Sequence, residues 1–154
     1  MQGVSYSDYL SIYGNELNEA AYNRLGWQAE RIMDIQTTGI DNVHKLDIAF
    51  PTVERDADAV KRCYYELIHK AHEIEDYVSR ATSAGGHGAV ASRSSGSESI
   101  SYVRVQTEID DAAGDLSARN RLFFGIVKNY LSGISDANGV NILFMGEYPC
   151  IRTQ

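Results

Sequence analysis

Hydrophobic residues recur with helical spacing in four parts of the chain and predict four helices. The clearest pattern covers residues 55–81, where the apolar positions alternate spacings of four and three without a break. These positions are Val60, Tyr64, Leu67, Ala71, Ile74, Val78 and Ala81. Such a seam indicates a long third helix with one side buried along the length of the domain.

The first two predicted helices carry clear start and stop signals. Residues 5–13 place apolar side chains on one face and end at Gly14, a residue that favours helix termination. Residues 19–37 follow Asn18, which is a good N-cap, and stop before Gly39. Both segments are therefore predicted to form amphipathic helices, of which the first is short.

The fourth predicted helix, residues 116–131, is followed by a C-terminal tail of different pattern, residues 134–154. Asn138 and Gly139 predict a turn within the tail. A short apolar run follows the turn and predicts a strand that needs a sheet edge to pair with. Its apolar residues are Val140, Ile142, Leu143, Phe144 and Met145.

The stretch between the third and fourth helices, residues 82–105, is dominated by Gly, Ala and Ser, which is typical of a flexible linker. Its second half turns apolar and β-branched from Ile100 onward, which a linker does not require. Long loops of this kind tend to be functional or disordered, so we expect an arm that contacts another molecule. The predicted fold is mainly α: a small four-helix domain with a long Gly/Ser-rich arm and an extended C-terminal tail.

Composition narrows the class of protein. The chain has 154 residues, which predicts one domain (1–154), and its net charge of −7 argues against a generally basic surface for nucleic acid. We find neither a signal-peptide pattern nor an apolar run of membrane-spanning length. Cys63 and Cys150 are isolated and read as reduced thiols, so we expect a soluble intracellular protein without membrane contact.

The sequence contains no recognisable catalytic motif. His69, His72 and Glu73 form HKAHE, which matches neither common zinc motif and lacks a third ligand. Residues 85–88 are glycine-rich but lack both the preceding strand and the following Lys-Ser/Thr of a phosphate loop. We therefore expect no enzyme activity, no metal and no cofactor. The ten tyrosines weakly favour interfaces.

Four motifs resemble those of the head-to-tail adaptor (connector) proteins of long-tailed bacteriophages. Residues 8–39 contain a short aromatic helix ending Tyr-Gly and a second helix with Asn-Arg-Leu and a final Thr-x-Gly. Residues 60–63 read Val-Lys-x-Cys, residues 97–100 read Ser-Glu-Ser-Ile, and residues 130–133 read Tyr-Leu-Ser-Gly. The chain departs from the family pattern directly after Ile100 and by an insertion after Gly133.

The resemblance implies a structural virion protein of the phage neck, assembled in the host cytoplasm. It implies a cyclic homo-oligomer, commonly of twelve subunits, that docks on the portal protein and joins head to tail. A stopper or tail completion protein would bind the opposite face, and DNA would pass through the lumen without sequence-specific binding. In this chain the motif and the β-type residues after it give the expected subunit interface: Ser97, Glu98, Ser99, Ile100, Tyr102 and Val103.

The resemblance also assigns the C-terminal tail to the portal. The expected portal-binding residues are Val140, Ile142, Leu143, Phe144 and Met145. Removing residues 140–154 is expected to leave a folded helical domain that no longer binds portals. One alternative stays open: a small helical regulatory or ligand-binding domain in which the Gly/Ser stretch is a mobile lid.

Overall fold

The computed structural model of the chain describes residues 3–14, 16–83, 92–95, 98–101 and 108–149. The fold is mainly helical, as predicted. Within the described residues there are six helices: α1 (Tyr6–Tyr13), α2 (Glu19–Thr37), α3 (Lys45–Ile48), α4 (Glu54–Ser83), α5 (Glu108–Gly114) and α6 (Leu116–Leu131). Two short strands, β1 (Ser92–Ser95) and β2 (Glu98–Ser101), form an antiparallel hairpin.

The predicted count of four helices is wrong. The four periodic segments correspond to α1, α2, α4 and α6, but α3 and α5 were missed. These two helices have four and seven residues, which is too short for a hydrophobic repeat to show. The N-cap predicted at Asn18 is confirmed, since its side chain accepts a hydrogen bond from the Ala21 amide at 2.9 Å.

The chain was expected to form one domain, and its contacts group into two compact units. The first unit consists of residues 1–70 and 123–154, and the second of residues 71–122. In the second unit, Ala71 and Ile74 of the predicted α4 seam are buried, whereas Val78 is exposed. The buried seam therefore ends before Ala81, where the sequence pattern had placed its end.

The core of the first unit is built from one face of each long helix. From α4 come Val60, Cys63 and Leu67, all at most 1% exposed. The other long helices add buried side chains that their own periodicity predicts: Tyr22, Leu25, Ala29 and Met33 from α2, and Phe123, Ile126, Val127 and Leu131 from α6. Burial of such apolar area is the main stabilising contribution to a helical domain of this size.

Six tyrosines of the first unit form a tyrosine cluster: Tyr6, Tyr9, Tyr13, Tyr22, Tyr64 and Tyr65. Neighbouring rings lie 5.2 to 6.4 Å apart between centroids, within the range of favourable tilted and edge-on aromatic pairs. Gly26 admits Tyr64, because a Cβ on Gly26 would lie 2.3 Å from the Tyr64 hydroxyl oxygen. Most of the tyrosines thus serve the chain's own core, which removes their weight as evidence for interfaces.

The Gly/Ser arm is described in part. Thr82 and Ser83 still belong to α4, and the hairpin pairs Arg93 with Ile100 and Ser94 with Ser99. Among the expected subunit-interface residues, Glu98, Ser99 and Ile100 lie on β2, while Ser97, Tyr102 and Val103 lie outside the described residues. Across the described ranges, no helix combines the length and apolar character needed to cross a bilayer.

Candidate docking site formed by the C-terminal segment

The C-terminal segment, residues 134–149, folds back onto its own chain. Ile142 is fully buried, and its amide donates to the Ile134 carbonyl at 3.0 Å. An isolated bridge joins Ser135 to Asn141, and no continuous strand forms across the described part of the tail. The strand predicted for Val140 to Met145 is therefore wrong, and the segment is instead a series of turns.

The first of these turns is organised by Asp136. Its carboxylate accepts hydrogen bonds from the amides of Asn138 and Val140, both at 2.9 Å. Gly139 has φ +78, a left-handed conformation that favours glycine, so the turn predicted at Asn138 and Gly139 is confirmed. Because the carboxylate occupies amides that a β-ladder would need, it competes directly with strand formation.

Lys45, the first residue of α3, has no exposed surface although it carries an ammonium group. That group donates to the carbonyl of Thr37 at 2.9 Å, to the carbonyl of Ile142 at 3.2 Å and to the carbonyl of Phe144. Burial lowers the pKa of Lys45, and the charges of Asp41 and Asp136 partly oppose this shift. Lys45 thereby connects the C-terminal end of α2 to the tail through main-chain atoms of both.

Tyr148 completes the attachment. Its amide donates to the Asp41 carboxylate at 2.6 Å, and its hydroxyl donates to the Asp136 carboxylate. The hydrogen bond from Tyr148 is the main cause that lowers the pKa of Asp41, whereas burial and the contact with Asp136 raise the pKa of Tyr148. We call Asp41, Lys45, Asp136 and Tyr148 the C-terminal clasp.

Gly39 lets the main chains meet beside the clasp. A Cβ on Gly39 would lie 2.5 Å from the carbonyl oxygen of Gly146, a distance that no side chain tolerates. The next residue, Ile40, donates its amide to the Met145 carbonyl at 3.0 Å. The connection after α2 and the end of the tail therefore run directly beside one another.

This contact leaves three large apolar side chains exposed on neighbouring residues, which we call the apolar edge. Ile40 is 77% exposed, Phe144 47% and Met145 46%. The expected portal-binding residues are thus divided, because Phe144 and Met145 face solvent whereas Ile142 is buried within its own chain. Val140 and Leu143 are half-buried.

Sequence reasoning missed Ile40, Lys45, Asp41 and Tyr148. A usable signal existed only for Ile40, which is an isoleucine placed directly after the glycine that follows α2. The contacts by which the clasp joins the tail to the residues after α2 carry no local signal, because they span about a hundred positions, as in the pairing of Tyr148 with Asp41.

The acidic and histidine side chains of the described residues were compared with the ligand set of a metal site. Among the described residues, no group of three His, Cys, Asp or Glu side chains is placed to hold a metal ion. His69, one of the two histidines considered as ligands, stacks on the Tyr13 ring with centroids 4.2 Å apart.

No family model, curated protein or solved structure matches the chain. The likeness to phage adaptor proteins remains an expectation drawn from the sequence motifs.

Proposed function

We propose that the chain is a structural adaptor of a phage neck, which assembles into a ring and docks on a portal through the apolar edge. The observation that carries this proposal is the apolar edge itself. Two of its three residues, Phe144 and Met145, lie in the tail, where the sequence resemblance places portal binding, and all three present large apolar side chains to solvent. Exposed apolar groups that lie together are typical of protein interaction sites.

The energetics suit a ring better than a single contact. Burying one large apolar side chain fully contributes roughly 1.5–3 kcal/mol, so three partly exposed ones supply only a few kcal/mol before the costs of association. A contact of this strength is weak for one subunit. When many subunits of one ring bind one portal, the later contacts are effectively intramolecular and the total affinity rises steeply.

The clasp supports a specific form of docking. The tail has its buried Ile142 and its main-chain partners in place, so the apolar edge is presented on a formed surface. A preorganised surface loses less conformational freedom on binding than an extended peptide does. Docking of the formed segment therefore replaces the strand addition that the sequence pattern had suggested.

Substitution of the apolar edge tests the proposal. The triple variant Ile40→Ser, Phe144→Ser and Met145→Ser should co-sediment at least about tenfold less with the portal ring encoded in the same genome, since a tenfold loss corresponds to only about 1.4 kcal/mol. The matched control replaces Ile12 and Val53, which are similarly exposed at 53% and 59%. Circular dichroism checks that both variants keep their helices.

Retention of portal binding by the triple variant, or an equal loss in the control, contradicts docking through the apolar edge. Truncation is a poorer test than the sequence suggested. Deleting residues 140–154 removes the buried Ile142 and two of the carbonyls bound by Lys45, so we expect the first unit to lose stability as well as binding.

A further inference from the structure

The outer face of α2 carries a second unusual surface. Trp27 is 69% exposed, and Arg24 and Arg31 lie three positions before it and four after it, on the same side of the helix. Both arginines are exposed as well. We call Arg24, Trp27 and Arg31 the α2 stripe. Tryptophan and arginine are the residues most enriched among those that dominate binding energy at protein interfaces.

The second unit contains a surface of complementary character, the α5–α6 groove. It has a volume of about 220 Å³ and is lined by Glu108, Asp111, Ala118, Arg121 and Leu122. A cavity needs only about 10–15 Å³ of space open to the centre of a water molecule to hold one water, so the groove has room for a large side chain.

The charges of the two surfaces are opposite. The α2 stripe carries two positive charges, and Asp34, three positions after Arg31 on the same side of the helix, offsets one of them. Residues 108–115 carry four acidic side chains and no basic one, and Arg121 offsets one of these charges at the groove. Leu116, directly after this segment, is 69% exposed and adds apolar area beside it. A chain with net charge −7 thus presents a basic aromatic stripe on one unit and an acidic groove on the other.

We propose that the α2 stripe of one copy binds the α5–α6 groove of a second copy of this chain. Trp27 enters the groove against Ala118 and Leu122. Arg24 and Arg31 face the carboxylates of Glu108 and Asp111, so that opposite charges steer the encounter and set its orientation.

The two surfaces differ, so this contact is heterologous. Each copy that uses its stripe still offers a groove, and such contacts continue until they close into a ring or extend as a filament. The inference deepens the proposed function, since it rests on ring formation for its biological purpose. Its test needs no portal, so failure of self-association and failure of portal docking are separate results.

Complementary variants give the sharpest test. The stripe variant carries Trp27→Ala and Arg31→Ala, and the groove variant carries Glu108→Arg and Asp111→Arg. Each alone should remain monomeric, because one side of every contact is lost. A one-to-one mixture should form a dimer of twice the 17.1 kDa chain mass and grow no further, since one intact stripe meets one intact groove. Analytical ultracentrifugation measures this, and raising the salt concentration should dissociate the dimer.

Cysteine pairing extends the test to weak association. In a Cys150→Ser background, chains with Asn23→Cys keep Trp27, because Asn23 is an exposed residue one helical turn before it. Mixed with chains carrying Ala118→Cys, they should form a disulfide-linked dimer under mild oxidation. Ile12→Cys replaces Asn23→Cys as the control, because Ile12 is also exposed on the first unit. The buried Cys63 does not interfere.

A mixture of the two charge variants that stays monomeric, together with cross-linking no stronger than the Ile12 control, overturns the proposal. Variants that each assemble like the wild type overturn it as well. A stripe variant that loses binding to duplex DNA while the groove variant keeps it would assign the stripe to nucleic acid and also reject the contact between copies.

Discussion

The tyrosine cluster and the C-terminal clasp both belong to the first unit, yet they are held together in opposite ways. The cluster depends on ring packing between helices, with the Tyr9 and Tyr22 rings 5.4 Å apart between centroids. The clasp depends on charged side chains that bind main-chain groups, as Lys45 binds the Thr37 carbonyl. Each atom pair in the ring packing contributes only about 0.1–0.2 kcal/mol, whereas the loss of one partner of a buried charge is costly by itself.

The largest effect should follow from breaking the clasp. Lys45→Met keeps the apolar stem but leaves the carbonyls of Thr37, Ile142 and Phe144 without their buried donor. At about 1–3 kcal/mol for each unsatisfied group, and with partial rescue by water, we expect a loss of about 4 kcal/mol in the free energy of unfolding. Urea denaturation measures the loss.

Amide hydrogen exchange in the Lys45→Met variant distinguishes local opening of the C-terminal clasp from opening of the helical core. The Ile142 amide should exchange faster, while amides in the middle of α4 should keep most of their protection relative to global unfolding. The control is Lys61→Met, because the one ion pair of Lys61 within the described residues is a 3.9 Å contact with Asp58 on the helix surface, which should matter little. If Lys45→Met and Lys61→Met lost equal amounts of free energy of unfolding, the buried ammonium group of Lys45 would not be important for stability.

Alkaline pH should destabilise the helical core at and beside the tyrosine cluster. Burial raises the pKa of Cys63 from 9.0 to about 12, and burial likewise raises the pKa of Tyr64 from 10.0 to about 12. The folded state holds these protons more tightly, so the resulting stability is complete below pH 9 and is lost as the pH rises towards 12. Each group should contribute a slope of about 1.4 kcal/mol per pH unit within its window.

The matched variant is Cys63→Ala. Between pH 9 and 10 its free energy of unfolding should fall less steeply than that of the wild type, by up to about 1.4 kcal/mol per pH unit, because both proteins share the tyrosines with a raised pKa and only the wild type has the buried thiol. Denaturation series at several pH values measure this. A wild-type slope that persists unchanged in Cys63→Ala would contradict the assignment to the buried thiol.

Gly39→Ala should weaken the clasp by about 2 kcal/mol, within the range that overpacking costs. The new Cβ would meet the Gly146 carbonyl oxygen at 2.5 Å, and a backbone atom cannot rotate away. Thermal unfolding measures the loss, and the amide of Ile40 should exchange faster because its bond to Met145 is disturbed. An unchanged melting temperature would show that the two chain segments separate at no cost.

The smallest effect compares two helical glycines. Gly26→Ala forces a clash with the Tyr64 hydroxyl, but it also gains about 1 kcal/mol of helix propensity, so we expect a net loss of about 1 kcal/mol. Gly125→Ala on α6 meets no atom within 4 Å and should raise stability by up to about 1 kcal/mol. Denaturant titrations measure both changes in the free energy of unfolding. A loss for Gly26→Ala and a gain for Gly125→Ala would confirm that the tyrosine cluster is tightly packed, and equal gains would contradict it.

The sequence predicted the parts of the fold that repeat locally. The periodicity of residues 19–37 and 116–131 located α2 and α6 with their observed limits, because each buries a continuous face. The clasp was beyond such reasoning, since Lys45 and Asp136 resemble ordinary surface charges in the sequence. Ile142 was assigned correctly to an apolar run, but its burial depends on a turn at Asp136 that no periodicity reveals.

The way Lys45 holds the tail has a consequence for how the surface can evolve. Its ammonium binds the carbonyls of Ile142 and Phe144, and a carbonyl is present whatever side chain a residue carries. Substitution of Phe144 therefore leaves the attachment of the segment intact. The exposed side chains are free to change together with a binding partner, while the backbone that presents them keeps its place.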